Sequence, residues 1–244
     1  MAAERTGRGH LWLLLPAAAL AALWLAWRAL AFVDFLYPAF YELLEVHAHI
    51  EHFAPQNRFR NGFAQTTRQE RERLFAGIVD AIHDSGRGLE TLRYHDATGR
   101  ALGQLLREPE IAHLQDVARL VDRVAPVGWI AAAWLLVQLI LIRRAGWIVP
   151  GLGRLMAASL GVTAAGVLVI LLIGPRQVFY AFHDWAFPPE NPWFFYYQDS
   201  LMSTMMKAPQ LFGAIAVALL LLALLLYAAF LYVARLASRP RPAS

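Results

Sequence analysis

Cysteine is missing from all 244 residues, so the chain forms no disulfide and offers neither a thiol nucleophile nor a thiolate metal ligand. Charge is scarce as well: 16% of residues are Asp, Glu, Lys or Arg, against 58% hydrophobic, and the mean hydropathy is +0.42. A soluble globular domain carries more charge and less apolar content than this. Internal repeats, a Gly-rich phosphate loop and a G-x-S-x-G elbow are all lacking, which leaves Ser200 and Ser203 only weak candidates for a nucleophile. No period-2 strand run stands out, and low complexity is confined to Leu/Ala-rich stretches.

What the chain does have is four long apolar runs: 11–33, 127–142, 155–174 and 211–234. A helix needs about 20 apolar residues to cross the roughly 30 Å hydrocarbon core of a bilayer. The second run is short, but it can extend back through Val121–Ala125 or snorkel on Arg143 and Arg144. These runs predict an all-α polytopic membrane protein with four spans. The first run could instead be a signal peptide, with Arg5 and Arg8 before it and Ala29-Leu-Ala31 as a cleavage site. Its length, and Trp24 and Trp27 at belt positions, favour an uncleaved span; Arg28 then snorkels to the interface.

Lys and Arg set the orientation. The tails 1–10 and 235–244 and the loop 143–154 hold eight basic residues and one acid, Glu4. The connections 34–126 and 175–210 hold 13 basic and 17 acidic residues. Both termini are therefore expected in the cytoplasm, with 34–126 forming an extracytoplasmic helical domain and 175–210 an extracytoplasmic loop. The pI of 9.7 reflects this topology and gives no support for a nucleic-acid partner. The closing Arg-Pro-Arg-Pro-Ala-Ser reads as a disordered tail.

Within 34–126, helices are expected over 37–53, with Pro38 in the first turn, and over 69–82, where Leu74, Phe75, Ile78, Val79 and Ile82 recur at helical spacing. Asp84-Ser-Gly-Arg-Gly breaks the chain. A third helix, 109–124, carries the stripe Ile111, Leu114, Val117, Leu120, Val121 and Val124. Pro126 is expected to let it turn, so that it lies along the membrane surface ahead of the second span.

On that helix Glu110, His113 and Asp116 fall on one face, since three residues advance a helix by about 300°. A carboxylate one turn from an imidazole can take its N–H and leave the other nitrogen as a base. The same spacing also describes a solvated polar face. A second constellation follows the third span: His183 among Phe179, Tyr180, Phe182, Trp185, Phe187 and Trp193, with Asp184 and Asp199 as possible partners. Such a segment equally suits an interfacial anchor with a packed histidine. His47, His49 and His52 do not converge on one helical face, so no metal site is assigned to them.

Two motifs carry a resemblance to a family. Glu110-x-x-His113-Leu-x-Asp116-Val resembles the E-x-x-H-M-x-D-V stretch of the bacterial lipoprotein intramolecular transacylase (Lit) family. Phe179-x-x-Phe182-His183, followed by Phe187, Trp193, Phe195, Asp199-Ser-Leu201 and Pro209-x-x-Phe212, is similar to its second signature. The four-span plan matches too. Leu114 stands where the family has Met, Arg176 where it often has Asp, and Gln210 where Glu is common.

The resemblance implies a membrane acyltransferase that moves the sn-2 acyl chain of a diacylglyceryl-lipoprotein cysteine to that cysteine's own α-amino group. His113 and His183 would be the catalytic acid and base, with Asp116 or Glu110 orienting. Arg176, Phe182, Trp193 and Asp199 would bind substrate. It implies no cofactor, a lipoprotein or membrane lipid as partner, a monomer, and residence in the bacterial cytoplasmic (inner) membrane with the site outside. Two other classes stay open on sequence: a non-enzymatic membrane protein that binds lipid or lipoprotein, and a metal-dependent membrane hydrolase.

Overall fold

Apolar stretches of bilayer length become long helices in the computed structural model, which describes residues 8–238, with side chains described from residue 13. The tails beyond those limits, with Arg5, Arg239, Arg241 and the Arg8 side chain, lie outside the described residues. Four helices are long and apolar enough to cross a membrane: α1 (Arg8–Phe32), α5 (Glu108–Ala145), α6 (Leu152–Ile173) and α9 (Gln210–Ala237). Three more helices precede α5: α2 (Tyr37–Leu43), α3 (Val46–Phe53) and α4 (Arg68–His83). Two others, α7 (Pro175–Ala186) and α8 (Leu201–Met206), separate α6 from α9.

The chain divides into two compact units. The membrane unit comprises residues up to Arg28, Ala125–Phe179 and everything from Leu219. Its helices pack alanines among larger side chains: Ala18, Ala21 and Ala22 of α1, Ala131 and Leu135 of α5, and Leu231 and Ala234 of α9 share one buried cluster. Between apolar helices lipid offers no hydrophobic drive, so close backbone approach and occasional hydrogen bonds must hold them. Gly128 supplies the first, with the Trp24 ring seated where a Cβ would be. The Ser159 and Tyr227 hydroxyls, 2.8 Å apart, supply the second.

The polar unit comprises Ala29–Val124 and Tyr180–Ala218. The 37–53 stretch forms two helices rather than one, because Glu45 takes a left-handed conformation (φ 52°). Thr67 caps α4 by accepting from the Glu70 N–H at 3.1 Å. Tyr37 stacks on Phe75 at 4.2 Å and donates to the Met205 carbonyl at 2.8 Å, tying α2 to α4 and α8. Arg71 is buried, and among the described residues no carboxylate hydrogen-bonds it. It donates to the Tyr41 hydroxyl (2.7 Å), His47 Nδ1 (2.9 Å), the Thr66 hydroxyl (2.9 Å) and the Ala64 carbonyl (3.1 Å).

Two expectations are corrected. The all-α reading omits a small antiparallel hairpin, β1 (Arg93–His95) with β2 (Ala101–Gln104), in which Tyr94 pairs with Gly103. Strands of three and four residues are too short to display a period of two. Nor does the chain turn at Pro126: α5 is one helix of 38 residues. Of its eight charged residues six precede Val124 and two, Arg143 and Arg144, follow Ile142, which leaves 124–142 free of charge. Proline is tolerated at such positions because a backbone opened in hydrocarbon would find no other hydrogen-bond partner.

Candidate active site

Two helix starts meet at Glu110. Its carboxylate accepts from the backbone N–H of Arg107 at 2.7 Å, closing the first turn of α5 as a Glu at the third helical position does. The Ser200 hydroxyl donates to the other carboxylate oxygen and itself accepts from the Ser203 N–H at 2.9 Å, capping α8. Glu110 and Ser200 are both 0% exposed, and burial pushes the Glu110 carboxyl above its ordinary range against the pull of Ser200 and Arg107. This pair fixes α5 to α8.

One turn along α5, His113 is 9% exposed and walled by aromatic rings. Phe187 meets it edge-on at 5.0 Å between centroids, and Phe195 stands at 6.2 Å. His183, on α7, lies 6.2 Å from His113 with the rings tilted by 31°. Trp193 covers His183 at 4.5 Å, while Phe182 and Phe187 stand at 5.5 and 5.3 Å. Desolvation, and secondarily the neighbouring His183, lower the His113 pKa to about 4, Asp116 pulling the other way. The His113 ring is therefore neutral at physiological pH. Its Nδ1 is buried with no hydrogen-bond partner among the described residues.

Asp116, 5% exposed, faces away from that nitrogen in its bonding. It accepts from Asn191 Nδ2 at 2.6 Å and from the Arg119 guanidinium. Neither carboxylate of the motif thus hydrogen-bonds the imidazole, contrary to the expectation that one of them would orient it. Glu110 holds the helix starts together, and Asp116 holds the 187–195 loop, with its Phe187, Trp193 and Phe195, against α5.

The other expected residues separate. Trp193 and Phe182 pack on His183, and Phe182 is half exposed. Trp193 Nε1 stands 3.3 Å from Asp184. Asp199 instead forms an ion pair with Arg58, whose Nη2 is 2.7 and 2.8 Å from its two oxygens. Arg176 belongs to the membrane unit, whereas both histidines belong to the polar unit. His47 bonds Arg71 and stands 3.2 Å from Glu51, while His49 packs on Phe53 and Tyr197. Among the described residues no group of three or more His, Asp or Glu side chains is arranged to hold a metal.

Sequence reasoning missed Asn191 and the capping role of Ser200. The second had a signal, a serine directly before a short apolar helix; the first had none, because its partner is 75 positions away.

Chemically, the arrangement offers two imidazoles near each other in an aromatic-walled site, one of them buried and kept neutral. That combination suits proton transfer at an apolar substrate. The family model described as "Lipoprotein intramolecular transacylase Lit" matches residues 13–212. No curated protein and no solved structure matches the chain.

Proposed function

The chain belongs to the lipoprotein intramolecular transacylase family, hence to a family of membrane acyltransferases acting on lipoproteins, and from that premise we propose the reaction, the residues and the side of the membrane. The substrate is a lipoprotein whose N-terminal cysteine bears a diacylglyceryl thioether. Its free α-amino nitrogen attacks the sn-2 ester carbonyl of the same molecule. An N–C bond forms, the ester C–O bond breaks, and the products are an N-acyl cysteine and a free glyceryl 2-hydroxyl.

Because donor and acceptor share one molecule, holding it folded supplies the effective molarity that an enzyme nucleophile would otherwise secure. His113 takes the proton from nitrogen as the tetrahedral intermediate forms. The nitrogen of that intermediate is far more acidic than the free α-ammonium, whose pKa is about 8, so an imidazole held neutral by burial is competent. His183, protonated at the start, donates to the oxyanion and gives its proton to the glyceryl oxygen as it leaves; the proton taken by His113 then passes to His183, restoring both rings. Phe182, Phe187 and Trp193 exclude water, which would divert the acyl chain to hydrolysis.

The distribution of basic residues supports a topology with the tails and the 143–154 loop in the cytoplasm and the polar unit on the outer face of a bacterial cytoplasmic membrane, where lipoprotein amines are exposed. Arg176 anchors to lipid phosphate, and the protein acts as a monomer.

The observation that carries this reading is the facing pair His113 and His183, 6.2 Å apart in one aromatic enclosure. Mass spectrometry of N-terminal lipopeptides from a host with diacylated lipoproteins tests it. Expression of the protein should leave total mass unchanged while fragmentation places one acyl chain on nitrogen. His113→Ala and His183→Ala should each lower turnover by about 10² to 10⁴-fold, the range for general acid–base catalysis. Full activity in both variants sinks the assignment.

A further inference from the structure

A second cavity lies in the polar unit on another side of α5. It has a volume of about 560 Å³, within the range of small-ligand sites, and is walled by Phe59, Arg60, Glu90, Gln104, Arg107 and Glu108. Its two guanidinium groups have donors beyond those already engaged. Arg107 lies over the Phe59 ring at 4.3 Å; its Nε is buried without a hydrogen-bond partner, 3.5 Å from Glu110, and its side chain is 19% exposed. Among the described residues no hydrogen bond engages its terminal nitrogens. Arg60 donates only to the backbone carbonyls of Gln104 (2.9 Å) and Phe59 (3.3 Å).

A guanidinium with terminal donors to spare calls for oxygen acceptors. The cavity also presents the Glu90 and Glu108 carboxylates, and the Gln104 amide nitrogen is already committed to the Glu90 carbonyl at 2.8 Å, leaving its oxygen to accept. A phosphate would satisfy the arginines but would be repelled by the carboxylates. A polypeptide backbone brings C=O groups for the first and N–H groups for the second.

We propose that this cavity binds the polypeptide that follows the lipidated cysteine; the inference rests on the transacylase reading above. Glu108 precedes His113 by five residues, about 8 Å along the helix axis. Ile111, which also lines the cavity, is about 200° round the helix from His113. A chain that runs from the site to the cavity passes the start of α5. At roughly 3.3 Å per extended residue, it reaches the cavity some three to five residues beyond the cysteine. The acyl chains and amine are then fixed at one end and the peptide at the other, so that binding energy remote from the reaction orients the amine.

The test compares two substrates: a diacylglyceryl-cysteine amide, and the same group followed by six residues. For the wild-type protein the longer substrate should have the higher kcat/KM by at least about tenfold, the worth of one charge-assisted hydrogen bond. In Arg60→Gln, and separately in Glu90→Gln, the ratio between the two substrates should fall toward one. General damage to the fold lowers both rates and leaves the ratio alone, and if Arg60→Gln does not fold, Glu90→Gln decides. A wild-type ratio of one, or an unchanged ratio in both variants, overturns the cavity's role alone. Failure of the wild type to turn over either substrate overturns the transacylase reading and this inference with it.

Discussion

Acid should unfold this protein partly through one histidine. The His113 pKa is lowered to about 4 in the folded chain, against an ordinary 6.5, chiefly because burial disfavours the charged ring. Above 6.5 the ring is neutral whether folded or not, and the group contributes nothing to the pH dependence. As pH falls from 6.5 toward 4, the unfolded chain takes a proton that the folded chain refuses, and the native state loses stability throughout that window. Below about 4 both forms are protonated and the loss levels off.

The interval corresponds to about 3 kcal/mol. His113→Phe removes it: the substituted ring meets the edge of Phe187 and stands near Phe195, where a phenyl group fits. Thermal unfolding of both proteins in detergent, followed by tryptophan fluorescence at pH 7 and pH 4, measures the difference. Wild type should lose about 6–12 °C more in Tm than the variant, at roughly 2–4 °C per kcal/mol for a chain of this size. His49, also lowered to about 4 by burial, is common to both and cancels. Equal losses in the two proteins would refute the claim that His113 is held neutral by its surroundings.

Three further outcomes follow from the packing. Arg71→Met should cost about 2–4 kcal/mol in the same unfolding assay, because four acceptors, the buried Tyr41 and Thr66 hydroxyls among them, lose their donor; a neutral effect would mean that water reaches them. Ser200→Ala should cost about 1–3 kcal/mol by removing both the α8 cap and the hydrogen bond to buried Glu110, and Ser200→Thr should restore most of it. Gly128→Ala sets a Cβ 2.2 Å from Trp24 Cγ, so the yield of folded protein in detergent should drop, and Trp24→Ala in the same chain should recover it.

Much of the architecture was legible because a bilayer imposes a length. Three of the four apolar runs coincide with α1, α6 and α9 to within a few residues, and the apolar stripe at 74–82 lies on α4, which runs from Arg68 to His83. The second span was harder: Pro126 carries a local signal for a break, and the continuity of α5 depends on the solvent rather than on the residue. The two histidine motifs could be read separately, and their periodicity placed Glu110, His113 and Asp116 on one face. What those carboxylates bond could not be read, since Ser200 is 90 positions from Glu110 and Asn191 is 75 from Asp116. Spacing along a helix reports which side chains share a face, not what the rest of the chain brings to it.

The ties that close the polar unit have a consequence for the order of events during synthesis. Tyr37 reaches Met205 across 168 positions, and Lys207 Nζ donates to the Leu44 carbonyl across 163. Contacts of that span cannot form until the ribosome has made most of the chain, and their loop-closure entropy makes them slow to form. A nascent protein that ends before Ser200 already carries both histidines, yet Glu110 has no serine to hold it and α2 has no α8 to bond. The polar unit therefore closes late, once residues 200–207 have been made and three of the four candidate spans have been translated.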